Sequence, residues 1–288
     1  MEIVNRKQRI SSIARKLRRE NKIVGFVPTM GALHEGHFEL IRNARQNCDI
    51  LIVSIFVNPT QFNDKSDLAA YPRDLTSDAS ALAPFDVDFI FAPDEKEIYP
   101  EGFSTYVYVE GLSDILEGAF RPGHFRGVAT VVTILFNSIR PDIAFFGQKD
   151  AQQVAVIKRL VEDLSFETEI VVVPTVREKS GLALSSRNER LSPEEREKAA
   201  VIFRGLSAAQ EEFKKGTKSG AELTRIARSI IEAEPLAKID YVEVVNAQTF
   251  EPIEVIGDDE ALVVAAVNFG NVRLIDNVSL SSQKTFAD

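Results

Sequence analysis

The chain has 288 residues, enough for one large or two ordinary domains. Its composition, 44% hydrophobic and 27% charged, is typical of soluble globular proteins, and no apolar run is long enough to span a membrane. The net charge of −9 argues against a general nucleic-acid-binding protein, and a single cysteine, Cys48, excludes an internal disulfide.

Residues 1–20 predict a basic amphipathic helix with Ile10, Ile13 and Leu17 on its apolar side. The same residues are charged throughout and lack the apolar core of a signal peptide, so we expect a cytoplasmic protein without a membrane segment. Cys48 lies between a predicted helix and a predicted strand, which favours a buried thiol over a catalytic one.

An apolar run of strand length begins at residue 24, breaks at Pro28 and Gly31, and is followed by an amphipathic helix. His34 and His37 lie in the turn between them. In open α/β sheets, ligands bind at the carboxyl ends of strands, and unpaired N–H groups at a helix N-terminus favour a phosphate. Three residues apart, both imidazoles can face one anion and donate hydrogen bonds to it. A simple helix cap is the alternative, and a zinc site is disfavoured because too few other ligands exist.

Residues 50–57 are continuously apolar and rich in β-branched side chains, which favours a strand buried on both faces of a parallel sheet. The turn at 58–63 follows at the same sheet edge as His34. The amides of Asn58 and Gln61 in this turn can bind hydroxyl or carboxylate groups. Taken alone this is a weak signal, because Asn-Pro is also common in ordinary loops, but its location at this edge strengthens it.

The next predicted elements are a helix ending at 83, strands at 87–92 and 105–109, a loop at 121–127 with two arginines and a histidine, a helix at 128–139, and a strand at 142–146. The last strand leads into the sequence GQKD at 147–150. Lys149 is then expected just inside a helix start, where the helix dipole disfavours a cation. A bound phosphate or carboxylate would remove that conflict, so we favour an anion site over a surface lysine.

After a strand at 169–174 the pattern changes. The loop at 177–188 is rich in hydroxyl and cationic side chains and can close over a triphosphate, and Ser192 begins a capped helix. Helices are predicted to about 214 and at 221–232, followed by strands at 239–245, 261–267 and 272–275, the last two joined by a hairpin turn. We therefore predict an α/β fold: a Rossmann-like parallel-sheet domain, residues 1–176, followed by a smaller α+β domain, residues 177–288.

Six motifs are more specific than these patterns. They are PTMGALHEGH (28–37), NPTQF (58–62), YPR (71–73), RPGHFRG (121–127), FGQKD (146–150) and GLALSSRN (181–188). In this order, and over nearly the whole chain, they closely resemble the pantothenate synthetases, also called pantoate–β-alanine ligases. The His-x-Gly-His element alone would indicate only the wider nucleotidyltransferase superfamily.

The resemblance implies a two-step reaction. ATP adenylates the carboxylate of (R)-pantoate and releases pyrophosphate; the amine of β-alanine then attacks the acyl adenylate, giving pantothenate and AMP. It also implies that Mg²⁺ accompanies ATP, that the protein is a homodimer, that the first domain binds ATP and pantoate, and that the smaller domain closes over them as a lid.

By the same resemblance, His34, His37 and Lys149 are catalytic groups on the phosphates, with His37 as a proton donor. Gln61 and Gln153 would bind pantoate, with Gln61 also near β-alanine. Asp78 matches an acidic position of the family's metal site. The implied ATP-binding residues are Met30, Gly31, Ala32, Leu33, His34, Glu35, Gly36, His37, Gly147, Gln148, Lys149, Asp150, Val176, Leu184, Ser185, Ser186 and Arg187.

Three positions depart from the family pattern. Ser180 stands before the loop glycine where many relatives have aspartate, Leu184 replaces a common methionine, and Ser77 stands where some relatives have a second acid. We expect the first two to change loop dynamics at most.

Two other functions are weighed against the ligase. A nucleotidyltransferase that moves AMP onto a phosphorylated acceptor would need a cationic acceptor site, whereas the 58–62 turn offers amides. A non-catalytic nucleotide sensor fits poorly with intact His34, His37, Lys149 and Arg187.

Overall fold

A computed structural model of the protein describes residues 1–63 and 65–280. Its internal contacts divide the chain into two compact units. The first comprises Met1–Gly147 and Val156–Pro174, and the second comprises Gln148–Ala155 and Thr175–Asp288. Residues 281–288, which belong to the predicted smaller domain, lie outside the described part of the chain.

The first unit is built on a parallel sheet. Its strands are β1 (Glu2–Val4), β2 (Val24–Thr29), β3 (Ile50–Ile55), β4 (Phe89–Phe91), β5 (Ile143–Gly147) and β6 (Glu169–Val173). Their spatial order is β1-β4-β3-β2-β5-β6, and each neighbouring pair in the described residues is parallel. This confirms the expected Rossmann-like α/β sheet.

Helices connect these strands. They are α1 (Lys7–Arg19), α2 (Glu35–Asn47), α3 (Lys65–Ala70), α4 (Leu75–Leu82), α5 (Glu95–Ile98), α6 (Glu117–Phe120), α7 (His124–Ile139) and α8 (Ala151–Asp163). The core between α2 and the sheet contains Val27, Ile41, Leu51 and Phe145, all fully buried. Burial on both faces explains why β2 and β3 are apolar at successive positions rather than at alternate ones.

Strand β2 is the point at which the strand order reverses, since β3 follows on one side and β5 lies on the other. Strand β2 pairs with β3 up to Thr29, but with β5 only at Gly25 and Phe26. Pro28, two residues beyond Phe26, has no backbone N–H to add to a ladder. The hydrogen bonding between β2 and β5 thus ends before either strand does, and open α/β sheets bind ligands at such a position.

The second unit packs helices on an antiparallel sheet. This unit contains the first residues of α8. Its other helices and strands are α9 (Pro193–Ala199), α10 (Val201–Lys214), α11 (Gly220–Glu232), β7 (Ala237–Asn246), β8 (Ala261–Phe269) and β9 (Val272–Ser279). The sheet order is β7-β8-β9. Leu206 of α10, Ala227 of α11 and Val263 of β8 are fully buried in one core. The smaller α+β part and its β8–β9 hairpin are as predicted.

Two secondary-structure predictions were wrong. Residues 1–20 are not one helix, because Glu2–Val4 form an edge strand that pairs with β4 before α1 begins at Lys7. Residues 105–109 are not a strand; the N–H of Val107 instead donates to the Thr130 hydroxyl, 3.0 Å away. Both outcomes depend on partners far along the chain, which a local pattern does not contain.

Helix boundaries differ at two further places. Helix α7 begins at His124, four residues before the predicted start, because Gly123 adopts a left-handed conformation (φ +82°) and reverses the chain there. The predicted helix from 193 to 214 is two helices that meet at Ala200. The predicted start at Ser192 is confirmed by a capping box with Glu195 and by Pro193 in the first turn.

Cys48 ends α2 and is partly rather than fully buried. Its thiol donates to the carbonyl oxygen of Ala44, 3.0 Å away. Burial raises the pKa of this thiol, which disfavours the reactive thiolate and fits the expected structural role. Among the described residues, no helix is long and apolar enough to cross a membrane.

Candidate functional site

His34 and His37 cap the start of α2 reciprocally. The N–H of Gly36 donates to Nδ1 of His34 over 3.2 Å, and the N–H of His34 donates to Nδ1 of His37 over 3.3 Å. The two ring centroids are 4.1 Å apart. The structure therefore brings the two imidazoles side by side at the carboxyl end of β2, as the sequence predicted.

This capping determines which atoms can donate to a ligand. A neutral imidazole that accepts a hydrogen bond at Nδ1 carries its proton at Nε2. Two of the first-turn amides expected to be available for a phosphate are already used, since Gly36 donates to His34 Nδ1 and the N–H of His37 donates to the carbonyl oxygen of His34 over 2.8 Å. The Nε2–H groups, rather than these amides, are the donors that the pair can offer to an anion.

Asp78 holds the turn that leads to the histidines. This carboxylate is 6% exposed, and its two oxygens accept the N–H groups of Ala32 (3.2 Å) and Leu33 (3.0 Å). Gly31 precedes them with φ +80°, and a Cβ there would lie 2.6 Å from a carboxylate oxygen of Asp78. Glycine is therefore required both by the backbone conformation and by the close approach of Asp78.

The same contacts bear on a metal site. Both oxygens of Asp78 are engaged by backbone amides. Within residues 1–63 and 65–280, no group of three or more histidine, cysteine, aspartate or glutamate side chains could hold an ion. The described chain thus offers no metal cage of its own around Asp78.

Gln61 lies beside the histidine turn. Its Nε2 donates to the sulfur of Met30 over 3.2 Å, and its Oε1 accepts from Nδ2 of Asn58 over 2.9 Å. Its backbone carbonyl oxygen accepts from Nδ1 of His124 over 2.8 Å. The side-chain amide therefore has a defined orientation, with its nitrogen towards Met30. This agrees with the expectation that β2 and β3 end at the same sheet edge.

Tyr99 completes this network, and no sequence pattern pointed to it. Its hydroxyl donates to Oδ1 of Asn58 over 2.7 Å, and burial raises its pKa to about 12. The hydroxyl therefore remains a donor at any physiological pH. A single tyrosine some forty residues from Asn58 has no local pattern that distinguishes it from a core residue.

In the second unit, Lys149 lies in a 3-10 turn, Gln148–Asp150, immediately before α8 rather than inside the helix. Its ammonium nitrogen is 3.4 Å from a carboxylate oxygen of Asp150, and its side chain is 19% exposed. The carbonyl oxygens of Gln148 and Lys149 both accept from Nδ2 of Asn277, at 2.9 and 3.1 Å.

The loop at 177–188 closes on itself. Arg177 and Ala183 form an antiparallel bridge, and the N–H of Leu184 donates to the carbonyl oxygen of Val176 over 2.9 Å. Ser185 then caps a 3-10 helix, Ser186–Arg190, by accepting from the N–H of Arg187 over 3.3 Å. These contacts bring together the predicted residues Val176 and 184–187. At the departing position, the Ser180 hydroxyl accepts from the N–H of Leu182.

The predicted residues thus fall into two groups. Residues 30–37, Gln61, Asp78 and Gly147 belong to the first unit; residues 148–150, Gln153, Val176 and 184–187 belong to the second. Sequence reasoning did not single out Asp276 and Asn277, which lie in β9 beside the Lys149 turn. Two adjacent polar residues within an apolar strand are a signal that could have found them, because only one of two neighbours can face solvent from a strand covered on one side.

The comparisons with known proteins agree with the motifs. The family model described as pantoate-β-alanine ligase matches residues 2–279. The pantothenate synthetase of Pelotomaculum thermopropionicum is 51% identical over 280 residues, which cover 97% of this chain and 99% of that protein. That of Heliobacterium modesticaldum is 50% identical over 278 residues, covering 96% and 99%.

Solved structures give the same result. A crystal structure of pantothenate synthetase from Thermus thermophilus is 44% identical, with a TM-score of 0.90 and coverage of 98% of this chain and 100% of that one. The pantoate-β-alanine ligase of Francisella tularensis, solved in complex with β-γ ATP and β-alanine, is 40% identical, with a TM-score of 0.77 and coverage of 96% and 97%.

Gly127 provides a test of the packing that holds Gln61. A Cβ at Gly127 would lie 2.6 Å from the carbonyl of Thr60 and 2.7 Å from the backbone nitrogen of Gln61. In the Gly127→Ala variant, the helix-propensity gain of about 1 kcal/mol is outweighed by about 1–3 kcal/mol of overpacking against backbone. We expect a lower free energy of unfolding in urea. Gly257→Ala is the control, because no atom lies within 4 Å of its Cβ position; equal stabilities of the two variants would contradict the close approach.

Proposed function

The chain belongs to the pantoate–β-alanine ligase family, and from this premise we propose that it joins (R)-pantoate to β-alanine at the expense of ATP. Pantoate is first converted to pantoyl adenylate with release of pyrophosphate, and β-alanine then displaces AMP to give pantothenate, the precursor of coenzyme A. The observation that carries this proposal is the pair of imidazoles, His34 and His37, whose Nδ1 atoms are both used in capping α2 at the carboxyl edge of a parallel sheet.

ATP is the nucleotide substrate. Residues Met30 to His37, Gly147 to Asp150, Val176 and Leu184 to Arg187 are proposed to bind it. His34 and His37 donate to phosphate oxygens through Nε2–H, and Lys149 does so through its ammonium group. The partial burial of Lys149 supports this role, because a cation shielded from water interacts more strongly with a phosphate.

The chemistry of adenylation suits these donors. An oxygen of the pantoate carboxylate attacks the α-phosphorus, the bond from that phosphorus to the bridging oxygen breaks, and the electron pair leaves with pyrophosphate. Negative charge thus grows on the bridging and terminal oxygens in the transition state. Imidazole and ammonium donors that are fixed before the reaction stabilise that charge, and His37 can supply a proton to the leaving group. The enzyme itself needs no nucleophile, since the substrate provides it.

Pantoate is proposed to bind Gln61 and Gln153. The amide of Gln61 has its oxygen held by Asn58, so its nitrogen is the group directed towards Met30 of the ATP-binding turn. One amide hydrogen meets the Met30 sulfur, and the other can donate to a pantoate oxygen. An acceptor carboxylate bound here lies next to the turn that binds the nucleotide, and β-alanine is proposed to enter near the same glutamine.

Mg²⁺ is proposed to accompany ATP. Protein sites for ATP-bound Mg²⁺ commonly use one or two carboxylates, with phosphate oxygens and water as the other ligands, so no protein cage is required. Asp78, the predicted ligand, is buried and already accepts two amides, which fits a brace of the turn better than a metal ligand. When bound, Mg²⁺ would neutralise part of the phosphate charge.

The wider setting also stays a proposal. We propose a cytoplasmic homodimer in which residues 1–176 bind ATP and pantoate and residues 177–288 act as the lid. The family relationship gives no support to the alternative transfer of AMP onto a phosphorylated acceptor.

Product analysis by mass spectrometry tests the function. The protein is incubated with ATP, pantoate and β-alanine, and each is omitted in turn. We expect pyrophosphate to require ATP and pantoate but not β-alanine, and pantothenate and AMP to require all three. Pyrophosphate released with a phosphorylated acceptor and not with pantoate would refute the ligase.

His37 allows the donor role to be separated from the capping role. Asparagine at this position keeps an acceptor near Nδ1 for the N–H of His34 but removes Nε2–H. We expect His37→Asn to lower the turnover of pyrophosphate release at least ~100-fold, the usual cost of one transition-state donor, with little change in melting temperature. His37→Gln, whose amide reaches closer to Nε2, should recover part of the rate. Wild-type turnover in His37→Asn would show that the proton donor was misassigned.

A substitution of Asp78 can show whether this residue stabilises the turn or binds the metal ion. In Asp78→Asn, one carboxylate oxygen becomes an NH₂ group that faces a backbone N–H, so the turn loses a charge-assisted hydrogen bond worth about 1.5–3 kcal/mol. We expect kcat/KM for ATP to fall ~10- to 100-fold, while the half-saturating Mg²⁺ concentration changes little. Asp74→Asn is the control, because asparagine caps α4 as well as aspartate does. A Mg²⁺ requirement raised tenfold or more would identify Asp78 as a ligand instead.

A further inference from the structure

Asn277 is a buried residue of β9 that contacts the turn carrying Lys149. Its Nδ2 donates to the carbonyl oxygens of Gln148 (2.9 Å) and Lys149 (3.1 Å), and its Oδ1 accepts from Nε2 of Gln148 (3.0 Å). It is 4% exposed. These three hydrogen bonds use both amide hydrogens and one acceptor position, so the side chain is fixed in one orientation relative to this turn.

The strand that carries Asn277 is itself held in place. The Asp276 carboxylate accepts hydrogen bonds from both terminal nitrogens of Arg177, at 2.6 and 2.9 Å. It also accepts one from the backbone N–H of Asn277, at 2.8 Å. Arg177 in turn lies over the ring of Phe203, 3.9 Å from its centroid. Burial raises the pKa of Asp276, and the Arg177 guanidinium opposes that rise. A paired and packed neighbour leaves Asn277 little freedom to move.

We propose that Asn277 is a positioning residue for Lys149. By binding two successive carbonyl groups of the 3-10 turn, it sets the direction in which the lysine side chain leaves the backbone. The inference rests on the proposed function, in which Lys149 donates to ATP phosphates. Asn277 itself touches no reacting atom; it acts through the lysine.

The geometry explains why this position needs an amide. The side chain must present two N–H groups to two carbonyl oxygens and an oxygen to the Gln148 amide. Aspartate has the same size but would place an oxygen against both carbonyls, and alanine would leave them without these donors. Serine offers one donor on a shorter side chain.

The position of the Lys149 ammonium group matters because its stabilisation of the developing phosphate charge depends on the distance between them. A displacement of about 1 Å in a group that contacts the reacting atoms can cost ~100-fold in rate. Loss of the Asn277 contacts frees the turn rather than removing the lysine, so a loss smaller than that of Lys149→Ala is expected.

The test is a double-mutant cycle on the full-length protein. We measure kcat and KM for ATP in pantoate-dependent pyrophosphate release for wild type, Lys149→Ala, Asn277→Ala and the double variant. We expect Asn277→Ala to lower kcat about 10-fold in the wild-type background and less than about twofold in the Lys149→Ala background, because residues that act through one group are not additive. KM for ATP, measured in the same assay, should change less than kcat.

Controls separate positioning from folding. Asn268→Ala removes an asparagine of the same sheet whose Nδ2 donates to Asp240 over 2.8 Å, and its kcat should stay within about twofold of wild type. If Asn277→Ala does not fold by circular dichroism, Asn277→Ser replaces it in the cycle, with a smaller expected loss.

Two results would overturn the inference. An equal loss in both backgrounds would show that Asn277 acts independently of Lys149, while the ligase function would stand. Full activity in Lys149→Ala would remove the premise that this lysine serves the reaction, and the inference with it. Failure of the wild-type protein to form pantothenate would instead refute the proposed function.

Discussion

The reciprocal capping of α2 by His34 and His37 is the constraint on which the proposed chemistry depends. Two backbone N–H groups occupy the two Nδ1 atoms, which places the imidazole protons of the neutral rings at Nε2. One of these bonds also uses the helix amide of Gly36, which could otherwise donate to an anion. A turn of this kind differs from a glycine-rich phosphate loop, in which backbone amides contact the phosphates directly. In the proposed chemistry the side chains are the donors here, and their bonds with the backbone fix their orientation.

Buried polar side chains from distant segments hold the turns that carry the proposed donors. Asp78 of α4 accepts hydrogen bonds from the backbone amides before His34. Asn58 orients Gln61 by a hydrogen bond, and Asn277 of β9 donates hydrogen bonds to the carbonyl groups of the Lys149 turn. Each is less than a tenth exposed and has its hydrogen bonds satisfied, as buried polar groups require. Turns after strands are otherwise the most mobile parts of an α/β fold. Braces of this kind fix donor positions before the substrate arrives, so less reorganisation is needed during the reaction.

Local patterns predicted the elements whose burial follows from their own sequence. Strands β2 and β3 were identified from continuous apolar runs, and the start of α9 from Ser192 and Pro193. Predictions were wrong where a distant partner decided the outcome. Glu2–Val4 form a strand because they pair with the edge of β4. Residues 105–109 form no strand, although their alternation of apolar and polar residues is typical of one. The pairing of strands that are far apart in sequence, such as Glu2 with Phe89, cannot be inferred from the residue pattern of a short segment.

The sequence by itself determined the fold class and the family, and it named the residues that we propose as donor groups. These follow from hydrophobic period, turn residues and six ordered motifs, all of which are properties of neighbouring residues. Only the tertiary structure decided how the donors are held: which imidazole nitrogen accepts, that both oxygens of Asp78 serve the backbone, and that Tyr99 and Asn277 take part. The physical reason is that hydrogen bonds depend on direction and on distances of about 3 Å between atoms that the chain brings together only when it folds.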